Sequence, residues 1–165
     1  TLEYFGIDSP RAAAGHTLSK GIGGYGGLIA GPAALLGELE RCSRVGVGAS
    51  PPPLPVAAAS RQALELARDD GLRARLWDNV TRARRGMLAA GWDLVESPVP
   101  IICLRARAGV DLARLKEALF ERDLCVAHVT RYSSTPEGGA LRVAIFASHS
   151  PEQIDRLVDA LARLA

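Results

Sequence analysis

A lysine flanked by hydroxyl residues and glycines is the part of this sequence best suited to chemistry. Residues 17–27 read Thr-Leu-Ser-Lys-Gly-Ile-Gly-Gly-Tyr-Gly-Gly, so five glycines fall within the seven residues after Lys20. Glycine tolerates positive φ and carries no Cβ, so this backbone can turn sharply and approach another group closely. The chain has twenty basic residues, of which only Lys20 and Lys116 are lysines and eighteen are arginines. A lysine amine can form a Schiff base, which a guanidinium cannot do.

Two phosphate-binding patterns and a simple turn compete for the same stretch. Residues 21–26 match G-x-G-x-x-G, but the dinucleotide fingerprint requires a strand before the glycines and a helix after them. Residues 14–20 are only weakly strand-like, and residues 27–31 look like a strand. A Walker loop fits less well, because its lysine follows the glycines. A glycine-rich turn with Lys20 as a solvated surface residue is the third alternative.

The wider sequence is similar to the α-oxoamine synthases, a family of class II pyridoxal phosphate-dependent, aminotransferase-like enzymes. The similarity starts at residues 17–31, which read T-x-S-K-x-x-G-x-x-G-G-x-x-A-G. It continues at Ser50-Pro51-Pro52 before an alanine-rich helix start, and again at Leu141-Arg142-Val143 and Ala147-Ser148-His149. These three blocks occur in order over almost the whole chain. They resemble the C-terminal portion of the family's sequence.

The resemblance implies an α/β fold of the pyridoxal phosphate-dependent transferases, fold type I. Residues 1–90 would be the C-terminal part of the large cofactor-binding domain with a connecting helix, and residues 91–165 a small α+β domain. The implied cofactor is pyridoxal 5′-phosphate, held covalently by Lys20, which would also act as the catalytic general base and acid. The cofactor-binding residues implied by the resemblance are Thr17, Ser19, Lys20, Gly26 and Ser50.

Arg142 is the residue that the resemblance implies for the substrate carboxylate, because a guanidinium forms bidentate pairs with carboxylates. From the sequence alone, a surface position on a half-exposed strand fits Arg142 equally well. Tyr132 and Thr135 would line the substrate entrance. His149 matches a family histidine, with a catalytic and a helix-capping role both open. His16 and His128 have no partner at a useful spacing and are interpreted as structural.

One departure from the family concerns the segment before the prolines. Several family members carry Ser-Thr there, whereas this chain has Gly48-Ala49. In the family this segment reaches the cofactor phosphate of the other subunit of a dimer. Only Ser50 and backbone N–H groups are then left as phosphate donors, and a plain linker is the alternative interpretation.

The implied reaction is condensation of an amino acid with an acyl thioester, carried by coenzyme A or a carrier protein. Carbon dioxide is lost and an α-aminoketone forms. The alternatives are an aminotransferase or lyase of the same fold, and a non-catalytic fragment or partner subunit. The family's aspartate opposite the pyridine nitrogen has no counterpart in these residues. The resemblance implies a homodimer, and the missing aspartate implies a further polypeptide region that supplies the rest of the site.

Composition excludes several other classes of protein. With 48% hydrophobic and 23% charged residues, the chain has the composition of a globular protein. A formal net charge of +2 gives no argument for nucleic acid. We expect no membrane span, no metal and a cytoplasmic location. Cys42, Cys103 and Cys125 are widely separated, which predicts neither disulfides nor a zinc site, and the last two are expected to be buried in strands.

Periodicity predicts the elements that position these residues. Residues 27–31 are predicted as a strand buried in a mostly parallel sheet, residues 33–41 as a helix, and residues 56–90 as helix with a break near residue 70. The apolar face of the last part is predicted to consist of Leu72, Leu76, Val80, Ala83, Met87 and Leu88.

From Trp92 onward, short strands alternate with helices in the order βαββα. Strands are predicted over residues 98–105, 124–129 and 141–146, with helices over residues 111–121 and from residue 150 to the end. Asp111 is predicted to cap the first of these helices. Ser150, Pro151 and Gln153 are predicted to start the last one as a capping box with proline at its first position.

Overall fold

The computed structural model describes residues 2–131, 135 and 138–164. It divides into two units, residues 1–69 and residues 70–165, which are described separately. The mixture of helices and strands is the α/β architecture that the sequence predicts. The predicted division of a longer protein into a domain ending at residue 90 and another beginning at residue 91 stays a prediction.

The first unit consists of a hairpin followed by two helices. Strands β1, Ala14–Thr17, and β2, Gly27–Ala30, pair antiparallel with Thr17 opposite Gly27. Helix α1, Ala33–Cys42, starts after Pro32 at its N-cap. Helix α2, Leu54–Leu66, starts after Pro53 and carries a proline in its first turn, where the missing N–H costs no helical hydrogen bond. An exposed segment of residues 43–53, which has turns over residues 44–49 and no regular structure after them, joins the two helices.

The surroundings of β2 differ from the prediction. Its pairing is antiparallel, and all its residues are exposed or half-exposed, whereas a buried position in a mostly parallel sheet was expected. The physical reason is the connection: a loop of nine residues between two strands closes a hairpin, while a parallel pair needs a crossover of a dozen residues or more. Within the described part of this unit, Ser60 is the only buried residue.

The second unit has the predicted βαββα order preceded by a helix. Helix α3, Asp70–Ala89, is followed by β3, Ile101–Arg105, and α4, Leu112–Phe120. The chain continues with β4, Ala127–Val129, β5, Ala140–Ala144, and α5, Pro151–Leu164. The three strands form an antiparallel sheet in the order β3-β5-β4. Strand β5 is therefore central, and it carries Arg142.

One face of this sheet packs with the three helices into a common core. Side chains alternate along each strand, so every second residue of β3 and β5 points to the helices. The strand residues buried on this face are Ile102, Leu104, Leu141 and Val143, and Ala140 at the start of β5 is buried as well. The buried apolar helix residues are Val80, Ala83, Met87, Leu112, Leu115, Leu119, Ile154, Leu157, Ala160 and Leu161. Every buried hydrophobic residue of the described chain belongs to this second unit.

Two expectations about buried residues are wrong. Leu88 is 54% exposed, and the buried face of α3 includes Asn79 instead. Cys103 and Cys125 are exposed. In β3 the buried residues are Ile102 and Leu104, so Cys103 between them must point to the opposite face.

The helix ends show why the second unit folds as its sequence predicts. Asp111 accepts hydrogen bonds from the N–H groups of Ala113 and Arg114, at 2.9 and 3.1 Å. Ser150 and Gln153 form the predicted capping box: the Ser150 N–H donates to Gln153 Oε1 at 2.8 Å, and the Gln153 N–H donates to Ser150 Oγ at 3.3 Å. Helix α3 ends in a Schellman motif around Gly91, whose φ is 79°.

Candidate functional site

The loop of the β1–β2 hairpin holds Lys20 in a closed turn. The Leu18 N–H donates to the Gly26 carbonyl at 2.9 Å, which extends the strand pairing by one step. The Gly24 N–H donates to the Leu18 carbonyl at 2.7 Å, and the Gly23 N–H donates to the Lys20 carbonyl at 2.8 Å. These bonds fix the backbone on both sides of Lys20. Its side chain is exposed and forms no salt bridge within the described residues.

The glycines of this loop are required by its geometry. Gly23 and Gly26 have φ values of 66° and 80°, where side chains are strained. A Cβ on Gly24 would lie 2.1 Å from the hydroxyl oxygen of Ser60 on α2. A Cβ on Gly27 would lie 2.9 Å from the His16 carbonyl oxygen. The glycines therefore permit two close approaches: the loop backbone at Gly24 lies against Ser60 of α2, and the backbone at Gly27 lies against that of His16.

Two hydroxyl groups lie side by side at the entry to the loop. Thr17 Oγ1 and Ser19 Oγ are 2.9 Å apart, and the Ser19 N–H donates to Thr17 Oγ1 at 3.4 Å. Both residues are exposed. Two hydroxyls thus lie next to each other just before Lys20; one donates to the other, and the accepting hydroxyl keeps a proton that it can donate to an acceptor such as a phosphate oxygen.

A shallow depression of about 490 Å³ lies on the hairpin beside this hydroxyl pair. Its lining includes the predicted cofactor residues Thr17 and Gly26. The rest of the lining is Gly15, His16, Gly27, Leu28 and Ile29. Three of the seven lining residues are glycines, so the backbone is accessible there. A flat ring could lie against such a surface.

Ser50 is not joined to the hairpin. It lies in the exposed segment before α2, and no hydrogen bond connects it to Thr17, Ser19 or Lys20 in the described structure. The structure thus brings together four of the five predicted cofactor residues and leaves Ser50 apart. The role of Ser50 stays a prediction.

Arg142 lies in the second unit, on the sheet face opposite the helices. It is exposed, and its neighbours across the strands are Cys103 of β3 and Ala127 of β4. Both neighbours are small, so neither covers the guanidinium. Arg142 forms no ion pair with another described residue. A ligand carboxylate could therefore reach it without displacing a protein partner.

The remaining polar candidates differ in what the structure says of them. His16 is exposed on β1, and the Nε2 of His128 is buried without a hydrogen-bond partner in the described chain. Thr135 is half-exposed, and Tyr132 lies outside the described residues. His149 contacts Phe146 and, through the backbone, Asn79, a residue that the sequence reasoning missed. The signal in the sequence that could have identified Asn79 is an amide side chain at a core-facing position of an amphipathic helix.

Comparison with known proteins shows the family to which the chain belongs. The family model described as aminotransferase class I and II matches residues 7–161. The chain belongs to this family. The dinucleotide and Walker interpretations of the lysine loop are therefore dropped, and the resemblance to the α-oxoamine synthases is confirmed by the relatives described next.

The 8-amino-7-oxononanoate synthase of Thioalkalivibrio sulfidiphilus is 37% identical over 99% of this chain and 42% of its own length. The solved structure of the 8-amino-7-oxononanoate synthase from Francisella tularensis matches with a TM-score of 0.77, 25% identity, and coverage of 92% of this chain and 44% of that one. Serine palmitoyltransferase from S. paucimobilis, solved with a bound PLP–myriocin aldimine, matches with a TM-score of 0.82 and 25% identity over 99% of this chain and 42% of that one.

The chain spans about two fifths of the length of the relatives it matches. Its fold is that of the corresponding part of these transferases. Among the residues described, no helix has both the length and the apolar character needed to cross a membrane. The same residues contain no cluster of histidine, cysteine and acidic side chains that could hold a metal ion.

Proposed function

We propose that the native protein carrying this chain is a pyridoxal phosphate-dependent acyltransferase of the α-oxoamine synthase type. It condenses an amino acid with an acyl thioester of coenzyme A or a carrier protein, with decarboxylation, to give an α-aminoketone. The single observation that carries the proposal is the β1–β2 hairpin, which holds Lys20, the Thr17–Ser19 hydroxyl pair and a glycine-lined depression together. The names of the relatives support the same reaction class.

The hairpin fits the cofactor in three respects. The exposed Lys20 amine forms no salt bridge with a carboxylate of the described residues, so it is available for covalent attachment. The Thr17 and Ser19 hydroxyls, 2.9 Å apart, share one hydrogen bond, so the hydroxyl that accepts this bond can donate its own proton to a phosphate oxygen. The depression beside them is lined by Gly26 and other small residues, so a planar ring can lie against the backbone.

Bound pyridoxal phosphate would supply an electron sink for bonds broken at the α-carbon of an amino acid. The amine of Lys20 would remove the α-proton and later return one, as general base and acid. The backbone hydrogen bonds from Gly24 to Leu18 and from Gly23 to Lys20 hold the backbone of Lys20 in place while its side chain moves. Gly23 and Gly26 allow that turn without strain.

Arg142 would bind the carboxylate of the amino acid. Its guanidinium lies exposed on the central strand of the sheet between two small neighbours. A bidentate, charge-assisted pair there would orient the substrate and exclude water from one side.

Ser50 would act in a homodimer, from the segment that reaches the other subunit. Its hydroxyl and the nearby backbone N–H groups are the phosphate donors left where several family members carry Ser-Thr. The contribution of Ser50 is therefore expected to be smaller than that of Thr17.

Absorption spectroscopy of the native protein with added pyridoxal phosphate tests the proposal. A near-visible band should form, should persist in Lys116→Ala and should be absent from Lys20→Ala. Lys116 is a matched control, because it is the only other lysine and pairs with Glu117 on α4. Equal spectra for the two variants would refute the assignment of Lys20.

Product analysis then distinguishes the reaction classes. Glycine, alanine or serine is incubated with an acyl thioester, and released thiol, carbon dioxide and aminoketone are measured. Equal release of the three products supports the acyltransferase. An amino-group transfer to a keto acid without thioester cleavage would instead identify an aminotransferase, which the description of the matching family favours as second candidate.

A further inference from the structure

The turn between β5 and α5 contains the family histidine to which the sequence assigns no role. Residues 146–149 close this turn: the His149 N–H donates to the Phe146 carbonyl at 3.3 Å, and the Phe146 N–H donates to His149 Nδ1 at 3.2 Å. The two rings meet edge to face, with centroids 5.3 Å apart. His149 therefore bonds the same residue through its backbone and through its ring.

Asn79 of α3 binds this turn through two hydrogen bonds from the side that faces the core. Its Nδ2 donates to the Phe146 carbonyl at 3.0 Å and to the His149 carbonyl at 2.9 Å. Asn79 is only 7% exposed. Both N–H donors of the amide group are therefore used, and they bond carbonyl groups of the turn, which lies outside the strand and the helix. A buried polar group with all donors bonded specifies a single arrangement of its surroundings.

The chemistry of the ring follows from its hydrogen bond. Because Nδ1 accepts a hydrogen bond from the Phe146 N–H, the ring proton must be on Nε2 when His149 is neutral. Protonation of Nδ1 would place two donors opposite each other and break the turn. The lone pair of Nδ1 is therefore used to hold the turn.

We infer that His149 and Asn79 are positioning residues that lock the β5–α5 turn onto α3 and so fix the end of the strand carrying Arg142. The functional part of this inference rests on the proposed function, because it takes Arg142 as the carboxylate-binding residue. Arg142 lies four residues before Phe146 on the same strand and turn. Loosening the turn releases the end of β5, and the direction of the guanidinium becomes less defined.

Amide hydrogen exchange of the full chain tests the locked turn without cofactor or substrate. The readout is the exchange rate of the Phe146 amide divided by that of the Leu124 amide. Leu124 donates to the Leu119 carbonyl at 3.0 Å at the end of α4, away from the turn, and serves as the internal reference, since a general loss of stability affects both amides. The variants His149→Leu and Asn79→Leu should raise this ratio about tenfold, because each removes hydrogen bonds of the turn only.

His149→Asn is the matched control. An asparagine side chain can place an acceptor oxygen where Nδ1 lies, but it has no counterpart of Nε2. The exchange ratio should therefore stay within about twofold of the wild-type ratio. A wild-type ratio in His149→Leu, or a rise in His149→Asn equal to that in His149→Leu, would overturn the locked turn.

Titration of the native protein with amino acid tests the positioning role. The half-saturating amino acid concentration should rise about tenfold in His149→Leu and remain near wild type in His149→Asn. If both variants instead lose turnover at unchanged half-saturation, His149 acts in the chemistry and the positioning role is wrong. Failure of the proposed function would appear separately, as an unchanged half-saturation in Arg142→Gln with the exchange results intact.

Discussion

Gly86 of α3 lies directly against Val158 of α5. A Cβ built on Gly86 would lie 2.7 Å from both γ carbons of Val158 and 3.2 Å from its Cβ. Real side chains do not approach this closely, so α3 and α5 reach their observed packing only because residue 86 has no side chain. This contact, together with the Arg82–Asp155 pair on the same two helices, sets how α5 packs in the second unit.

We expect Gly86→Ala to destabilise the second unit by about 1 kcal/mol, although alanine is the better helix former. The gain in helix propensity is about 1 kcal/mol, and overpacking costs about 1–3 kcal/mol. Rotation of Val158 gives only partial relief, since every χ1 rotamer keeps at least one γ carbon on this side and the Val158 Cβ itself lies 3.2 Å away. Urea unfolding measures the change. In a Val158→Ala background the same substitution should stabilise, and a stabilising effect in the wild-type background would contradict the contact.

Acid should weaken the Arg82–Asp155 pair before it affects the apolar core. Arg82 Nε and Nη2 donate to the two carboxylate oxygens of Asp155 at 2.7 and 2.5 Å. The hydrogen bond from Arg82, and then its charge, lower the pKa of Asp155 below its ordinary value of 3.8. A carboxyl group with a lowered pKa in the folded state adds stability above the ordinary pKa and loses it as the pH falls through the lowered value.

Asp155→Asn should therefore be less stable than wild type at pH 7, and the two urea midpoints should converge as the pH falls through the lowered pKa of Asp155. Both side chains are about half exposed, so the difference at pH 7 is small and shrinks with added salt. Asp159→Asn is the control, because Asp159 lies one turn along the same helix and has no salt bridge in the described structure. A difference that persists at low pH would show that Asp155 acts by packing.

Glycine at position 123 should stabilise the end of α4. Asp123 has a φ of 59° and is the only described residue other than glycine with positive φ. The Asp123 N–H donates to the Phe120 carbonyl and the Leu124 N–H to the Leu119 carbonyl, both at 3.0 Å, which is a Schellman ending with aspartate at the left-handed position. Asp123→Gly should raise stability by about 0.5–1 kcal/mol, measured by urea unfolding.

The control for this cap is Glu121→Gly. Glu121 has a helical φ of −59°, so glycine there adds freedom to the unfolded chain without relieving strain. It should destabilise by about 0.5–1 kcal/mol. Equal effects of the two glycine substitutions would mean that the left-handed conformation of Asp123 carries no strain.

Local signals explain how much of the second unit could be predicted. The capping box of Ser150 and Gln153 and the Asp111 cap follow from neighbouring residues, and both occur in the structure. The apolar positions of α3 follow from a helical period, and only Leu88 at its end was placed on the wrong face. Such features depend on side chains within one or two turns of each other.

Features that depend on distant partners could not be predicted from periodicity. An apolar run such as residues 98–105 does not reveal which face is covered, so Cys103 was expected to be buried. The direction of β2 depends on its partner strand, and the bonds of Asn79 reach residues 67 and 70 positions away. For the candidate site, the lysine loop was found through its glycine pattern, whereas the role of Arg142 came from the family resemblance alone.

The Thr17 hydroxyl should contribute strongly to cofactor affinity. A hydrogen bond to a charged phosphate is worth about 1.5–3 kcal/mol, so Thr17→Val should weaken pyridoxal phosphate binding by roughly 10- to 100-fold. Thr17→Ser keeps the hydroxyl beside Ser19 and should bind almost as wild type. Equilibrium dialysis of the native protein measures both. Equal affinities of the valine and serine variants would remove Thr17 from the phosphate site.

The two units should differ in their resistance to proteolysis in the 165-residue chain. The described part of residues 1–69 contains no buried hydrophobic residue, while Tyr25, Val45 and Leu54 of this unit are 68–88% exposed. Ordering a residue costs about 1–2 kcal/mol of backbone entropy, which only buried apolar surface or a bound partner can offset. Trypsin should therefore cleave first at Arg41, Arg44 or Lys20 and leave a resistant fragment that begins near residue 70. Mass spectrometry identifies the fragment.

A resistant product that retains Lys20 would show that the first unit folds without further polypeptide. Protection of Lys20 from cleavage in the native protein alone would show that the rest of the family fold covers this residue.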